Sequence, residues 1–167
     1  MSAKAHVWLG IILAIAAIGQ IILSFALYDQ NGVDWARNLG WTLLAISAIF
    51  GWLPILTFRQ KGGVAKGQSY MRTTKLVDSG LYSIVRHPQY LAGVLMAIAL
   101  ALIAQHWLVA ALGAVTAVTS YAGTFYEEQS CISQFGDAYR DYADRVPRMN
   151  AVLGTIRWLS RLGSNER

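Results

Sequence analysis

Charged side chains are missing from three long stretches of the chain. Asp, Glu, Lys and Arg are absent from residues 5–28, 38–58 and 87–126, and the last of these stretches is 40 residues long. A bilayer core about 30 Å thick is crossed by roughly 20 helical residues, so the first two stretches each match one transmembrane helix and the third matches two. The pattern therefore predicts a membrane protein.

The longest uncharged stretch is interrupted by its most polar point, Gln105-His106-Trp107, which predicts a turn between two helices. In lipid the segments are expected to be helical, because every backbone polar group must be paired internally. We therefore predict an all-α membrane helical bundle with a cytoplasmic helical C-terminal segment, forming one domain over residues 1–167. Its four transmembrane helices are expected near 7–27, 39–58, 88–104 and 107–126, the third being short.

Composition favours the same class of protein. Charged residues make up 14% of the chain and apolar residues 55%, whereas a soluble domain carries about 25% charged residues. High hydrophobicity excludes a disordered chain, and a single cysteine, Cys131, excludes a disulfide scaffold. A cleaved signal peptide is the alternative for the first stretch, but an apolar part of about 20 residues exceeds the usual 7–15.

The loops on the two sides of the second span differ in charge. Residues 59–86 carry net +5 and residues 28–38 carry net −1. The basic residues of the loop at 59–86 are Arg59, Lys61, Lys66, Arg72, Lys75 and Arg86. By the positive-inside rule this loop is cytoplasmic, and four spans then put both termini in the cytoplasm. The compact form and the lack of a targeting tail lead us to expect a prokaryotic inner membrane. Nucleic acid is not an expected partner, because no recognisable binding module is present.

The sequence after the fourth span predicts further helices. Residues 127–145 are expected to form two short helices with a break at Phe135-Gly136, the second capped by Asp137 and ended by Pro147. Residues 151–162 place apolar side chains at helical spacing beside Arg157 and Arg161, which is typical of a helix that lies on the membrane surface.

Two groups of residues are candidates for chemistry, and the first lies where the basic loop meets the third span. It reads Gly80-Leu-Tyr82-Ser-Ile-Val-Arg86-His87-Pro88-Gln-Tyr90-Leu-Ala-Gly93. Pro88 suits the first turn of a helix, and the free N–H groups there, together with Arg86, can hold a carboxylate or a phosphate. The plain alternative is a helix start with an arginine that reaches the lipid headgroups.

The second group is Glu127-Glu128, which ends the 40-residue uncharged stretch. A carboxylate so close to hydrocarbon is costly unless it is paired or functional, although a solvated pair outside the bilayer is the alternative. Four spans put both groups on the same side of the membrane, where they would suit a zwitterionic ligand with a carboxylate, an amine and hydroxyls. No metal site is expected, because no two of His6, His87 and His106 share a helical face.

These residues resemble those of the membrane methyltransferases of the isoprenylcysteine carboxyl methyltransferase group, and the related phospholipid N-methyltransferases share much of the pattern. The resemblance covers roughly residues 74–148 and consists of two motifs in the family order and spacing. The first motif is Leu76-Val77…Gly80-Leu-Tyr82…Arg86-His87-Pro88-Gln-Tyr90…Gly93, and the second is Glu127-Glu128…Phe135-Gly136…Tyr139…Tyr142…Val146-Pro147.

The resemblance implies an integral-membrane enzyme that uses S-adenosylmethionine, bound at the cytoplasmic face by the loop and the C-terminal segments. It implies cofactor contacts from Thr74, Lys75, Leu76, Val77, Tyr82, His87, Pro88, Gln89, Tyr90 and Glu127. The candidate catalytic residues are Arg86, His87 and Glu128, and the closing segment is shaped by Phe135, Gly136, Tyr139 and Tyr142.

The methyl acceptor stays open at this point. The eukaryotic prenylcysteine enzymes carry a substrate-contacting Arg four residues before the first matching Glu, and here that position is Gly123. We expect a lipophilic acceptor that enters from the bilayer, with membrane lipids as partners. A prenyl-thioether carboxylate, an amine of phosphatidylethanolamine type and a small thiol are the candidates. A non-enzymatic four-helix membrane protein would explain the spans, but not two motifs at the family spacing.

Overall fold

A computed structural model describes residues 3–63 and 74–164, and all regular structure in these residues is helical. The α-helices are α1 (Ala3–Ala26), α2 (Asp34–Lys61), α3 (Pro88–Ala104), α4 (Trp107–Phe135), α5 (Asp137–Arg145) and α6 (Ala151–Ser164), with a 3-10 turn at Gly80–Ser83. The predicted all-α class is confirmed. The part of the basic loop that contains Lys66 and Arg72 lies outside the described residues.

The long apolar helices agree with the predicted spans. Three of the described helices are long and apolar enough to cross a membrane, namely Val7–Ala26, Asp34–Lys61 and Trp107–Phe135. The third predicted span is the apolar helix α3, which has 17 residues and is short, as the sequence predicts. The chain is therefore a helical membrane protein, and whether α3 also crosses the bilayer stays a prediction.

Two predictions about the segment after the fourth span are wrong. Residues 127–135 do not form a separate helix, because α4 continues without a break to Phe135. Asp137 does not cap α5 but is its first residue, and the capping position is taken by Gly136, with no side-chain capping bond. The Asp137 carboxylate instead accepts a hydrogen bond from Arg140 Nη1 at 2.6 Å. The predicted break itself is confirmed, since Gly136 has a φ of 58°, a value that glycine adopts without strain.

The described residues divide into two compact units. The first consists of the residues up to Ile49 together with Tyr90–Tyr126, and the second consists of Phe50–Gln89 together with the residues from Glu127 onward. Both candidate motifs lie in the second unit, except for the end of the first motif, from Tyr90 onward, which lies in the first unit.

Helices in the first unit pack closely because small residues line their contacts. Ala97, Ala99 and Ala104 are fully or almost fully buried. Close packing lets polar side chains bridge the helices, since Gln20 Nε2 donates to Ala97 O at 2.7 Å and Ser47 Oγ donates to Ala92 O at 2.8 Å. Such bonds between membrane helices contribute about 0.6 kcal/mol each on average, so these bridges add modestly to the packing of the small residues.

The predicted turn between α3 and α4 is confirmed and is fixed by one side chain. Gln105 adopts a φ of 51°. Its amide accepts a hydrogen bond from the Val33 N–H at 2.7 Å and donates one to the Val33 carbonyl at 2.8 Å. The backbone of Asp29 also donates to Ala104 O at 3.1 Å. The two loops at this end of the first unit therefore hold each other in place.

Gly40 offers a test of the close packing. A Cβ atom at this position would lie 2.7 Å from Ile103 Cγ1 and 2.9 Å from the backbone oxygen of Ala99. We expect Gly40→Ala to reduce the free energy of unfolding by about 1–3 kcal/mol, because the neighbouring helix must move away. Thermal unfolding of the detergent-purified protein measures the change.

Gly10→Ala is the matched control for that substitution. No described atom lies within 4 Å of the Cβ position of Gly10. We expect Gly10→Ala to leave the unfolding temperature unchanged or to raise it, since alanine is favoured over glycine in a helix by up to about 1 kcal/mol. Equal shifts for the two variants would contradict the packing argument.

Candidate functional site

Glu128 on α4 is the centre of a buried ionic cluster in the second unit. Its side chain is 9% exposed. Arg148 binds it with both ends of its guanidinium, Nε to Oε1 at 3.0 Å and Nη2 to Oε2 at 2.6 Å. Arg86 Nη1 and His87 Nε2 each lie 3.1 Å from Oε1. A buried carboxylate is tolerated when its oxygens are paired in this way.

Immediately around Glu128, the guanidinium groups outnumber the carboxylate. Two guanidinium groups face one carboxylate at Glu128, and the buried Nε of Arg86 has no hydrogen-bond partner among the described residues. The neighbouring Glu127 is 44% exposed, and its Oε1 lies 3.9 Å from His87 Nδ1. The two adjacent glutamates therefore differ in surroundings, since Glu128 is enclosed by cations and Glu127 faces outward beside the same histidine.

The Arg86-His87 pair is positioned through its backbone. The Arg86 N–H donates to Pro147 O at 3.0 Å, and the His87 N–H donates to Arg148 O at 3.1 Å. Pro88 then begins α3, as the sequence predicts, because its missing N–H is not needed in the first turn. The segment that follows α5 thus pairs with the Arg-His-Pro segment in the same place where the Arg148 side chain binds Glu128.

Arg148 is the site residue that the sequence reasoning missed. It follows Val146-Pro147, the last element of the second motif, and is not itself part of either motif. A signal was present, because a carboxylate at the end of a long uncharged stretch needs a cationic partner. Nothing in the spacing, however, distinguished Arg148 from the other arginines after α4.

An aromatic cluster supports this segment from α5. Tyr139, Tyr142 and Val146 are buried together, and Leu76, Cys131, Ile132, Phe135 and Ala143 pack against them. The Tyr142 hydroxyl donates to the carbonyl of Tyr82 at 2.7 Å, and the Tyr82 ring stacks on Phe58 with 4.7 Å between the ring centres. Burial raises the pKa of both Tyr139 and Tyr142, so neither phenol ionises near neutral pH.

The remaining predicted cofactor residues fall into different places. Val77, Tyr82 and Pro88 are buried in the second unit, Leu76 packs on the aromatic cluster, and Gln89 is half-buried. Thr74 and Lys75 are exposed, and their backbone N–H groups donate to Gly62 O at the end of α2, at 2.9 and 3.2 Å.

Tyr90 belongs to the first unit. There the Cβ position of Gly123 lies 2.8 Å from Cε1 of the Tyr90 ring. The space at residue 123, where the prenylcysteine enzymes carry an arginine, is therefore filled by this tyrosine. Among the described residues, no three His, Cys, Asp or Glu side chains are arranged to hold a metal ion.

Comparison with known proteins assigns the family. A model of the phospholipid methyltransferase family matches residues 35–138, which is more than half of the chain. The chain belongs to the phospholipid methyltransferase family. Membership implies methyl transfer by a membrane protein, in agreement with the resemblance of the two motifs. No curated protein and no solved structure matches the chain.

Arg148 lies beyond the part of this family member that the family model matches, and its contribution can be measured. We expect Arg148→Gln to reduce the free energy of unfolding by about 3 kcal/mol, because Glu128 would stay buried with one guanidinium removed. The free energy of unfolding of Arg148→Lys should lie between those of Arg148→Gln and the wild type, since lysine keeps the charge but loses the two-pronged contact. Chemical denaturation in detergent gives both values.

Arg140→Gln provides the control for a charge removed at the surface. Arg140 pairs with Asp137 at 2.6 Å, but the two side chains are 58% and 90% exposed. We expect a change within about 0.5 kcal/mol, as is usual for exposed pairs. If Arg148→Gln is no more destabilising than Arg140→Gln, the cluster does not hold the second unit together.

Proposed function

We propose that this protein is an S-adenosylmethionine-dependent methyltransferase that acts on a lipophilic acceptor, of the isoprenylcysteine carboxyl methyltransferase type. The observation that carries the proposal is the grouping of Arg86 and His87 from the first motif with Glu127 and Glu128 from the second. His87 and Glu128 are 41 residues apart in the sequence, yet their side chains are in hydrogen-bond contact. A mere helix start or a solvated acidic pair would not require this grouping.

The charged groups of the cluster are complementary to the amino-acid end of the proposed cofactor. S-adenosylmethionine carries a carboxylate and an ammonium group on its amino-acid end. The outward-facing Glu127 carboxylate suits the ammonium group, and the two guanidinium groups of Arg86 and Arg148, which share the single Glu128 carboxylate, suit the carboxylate of the cofactor. Glu128 enters the proposal as the residue that holds Arg86 and His87 in place, because both of its oxygens are already engaged.

The protein's part in methyl transfer is to align the acceptor and to exclude water. When bound, S-adenosylmethionine supplies a methyl group activated by its positively charged sulfur. A carboxylate acceptor then needs no base from the protein. An amine acceptor must lose a proton, and His87 is the candidate to receive it, since Tyr139 and Tyr142 stay protonated and Glu128 is held by two arginines.

The proposed acceptor is defined by class. It is lipophilic and enters from the bilayer, as the membrane helices and the family favour. The Tyr90 ring beside Gly123 argues against the arginine contact that prenylcysteine enzymes use. We further propose that the site faces the cytoplasm of a prokaryotic inner membrane, with both termini on that side, as the charge of residues 59–86 predicts.

Calorimetric titration with S-adenosylhomocysteine tests the cofactor. We expect micromolar binding by the purified protein, weakened at least tenfold in Glu127→Gln, a difference of about 1.4 kcal/mol. Asp144→Asn on α5 is the control, because it removes a carboxylate from an exposed position outside the cluster, and it should bind like the wild type. A well-folded wild type that does not bind would refute the proposed cofactor.

The acceptor class is tested by transfer of a labelled methyl group in reconstituted vesicles. Phosphatidylethanolamine, a prenylated cysteine and an alkyl thiol are offered separately, with a water-soluble amine as the fourth acceptor. We expect label in at least one lipophilic product. Label in the soluble amine alone would contradict a lipophilic acceptor while leaving the cofactor intact.

A further inference from the structure

The last helix, α6, is too short to cross a membrane. It has 14 residues, which corresponds to about 21 Å of helix, whereas the hydrocarbon core measures about 30 Å. Its start is capped, since Asn150 Oδ1 accepts a hydrogen bond from the Leu153 N–H at 2.9 Å. An amphipathic helix of this length either packs its apolar side against protein or lies on a membrane surface.

The apolar side of α6 does not pack on the described part of the protein. Val152, Ile156 and Leu159 are 73%, 57% and 55% exposed, and they share one side of the helix because they are four and three residues apart. Leu153 and Leu162 flank them and are also exposed. Arg157 is exposed next to this apolar side.

The opposite side of α6 packs on the segment that leads into the ionic cluster. Gly154 is buried, and a Cβ atom there would collide with the backbone oxygen of Ile84. Two turns further along the helix, Arg161 Nη2 donates to the carbonyl of Ser83 at 2.9 Å. Ser83 is the last residue of the 3-10 turn and Ile84 follows it, three and two residues before Arg86.

We propose that α6 docks on the surface of the surrounding bilayer and that its docking holds the Ser83–His87 segment in its place. The bilayer is the occupant of the exposed apolar side because the chain already carries helices that cross a membrane, so a bilayer is always present beside it. Arg157 at the edge of the apolar side complements anionic headgroups. The docking does not depend on the proposed methyl transfer, because it concerns the support of the segment and not the reaction.

The position of α6 is tested by spin labels on single cysteines in anionic vesicles. Cys131 is first replaced by Ala, and labels are then attached at Ile156→Cys, at Leu159→Cys and, as the control, at Asp144→Cys, an exposed polar position on α5. We expect the labels at 156 and 159 to collide more with oxygen than with a water-soluble nickel complex, and the label at 144 to show the reverse. Equal exposure to nickel at all three positions would overturn the docking.

The same labels distinguish the bilayer from a second copy of the chain. If two copies covered each other's α6, labels at 156 would show strong spin–spin broadening that vanishes on dilution with unlabelled protein. That result would overturn the proposal, because the occupant would then be protein. Absence of broadening together with oxygen contact supports the bilayer.

The support of the site segment is tested by amide hydrogen exchange of the full protein in vesicles. The Arg86 and His87 amides, which donate to Pro147 O and Arg148 O, report on the segment. We expect Ile156→Glu to increase their exchange at least tenfold, because a charge on the apolar side expels α6 from the bilayer. Ala138→Glu adds the same charge at an exposed position on α5 and should leave the exchange unchanged.

Leu159→Ser provides a milder second variant if Ile156→Glu does not yield folded protein. It should increase the exchange in the same direction by a smaller factor. Undocking of α6, seen with the spin labels, without faster exchange at Arg86 and His87 would overturn the support role. If the wild type does not bind S-adenosylhomocysteine, the proposed function is refuted but the docking of α6 is not, since neither the spin labels nor the hydrogen exchange depends on the cofactor.

Discussion

The buried carboxylate of Glu128 is the constraint on which the second unit depends. A charge near hydrocarbon cannot stay unpaired, and Glu128 meets this requirement with Arg86, His87 and Arg148, which come from two other segments of the chain. Those segments must therefore be brought to α4 before the carboxylate can be buried. The backbone bonds of Arg86 and His87 to Pro147 and Arg148, and the aromatic cluster behind them, fix the geometry that the charges require.

The first unit is organised on a different principle. Its helices meet through alanine and glycine, and its polar bridges are single hydrogen bonds such as Gln20 to Ala97. Large apolar side chains of α1 and α2, among them Trp8, Phe25 and Trp41, stay exposed on the outside. In a bilayer this is the stable arrangement, because lipid solvates the large side chains and close contact between small ones holds the helices.

Most of the fold could be read from the sequence, because the absence of charge over 20 or 40 residues leaves few alternatives to a membrane helix. The bounds of α3 and the turn at Gln105 follow from Pro88 and from one polar interruption. The end of α4 could not be read in the same way. The charges at Glu127 mark where the uncharged stretch ends, but nothing in a helix requires it to stop there, and α4 continues to the glycine at 136.

The candidate site could be predicted in part. The motifs identify Arg86, His87, Glu127 and Glu128, but they do not say which glutamate is enclosed, because adjacent residues on a helix point in different directions. Arg148 could not be chosen among the arginines of the tail, since its contact depends on how the chain turns back after α5. Long-range contacts of this kind are set by tertiary packing and leave no periodic signal.

The pairing of Arg86 and His87 with Pro147 and Arg148 also orders events during biosynthesis. The two partners are about 60 residues apart in the chain, and the later one is made after all of the long apolar helices. Until residue 148 has been synthesised, Glu128 lacks its two-pronged partner. A chain terminated before residue 148 would therefore contain all of the long apolar helices and still leave Glu128 incompletely neutralised.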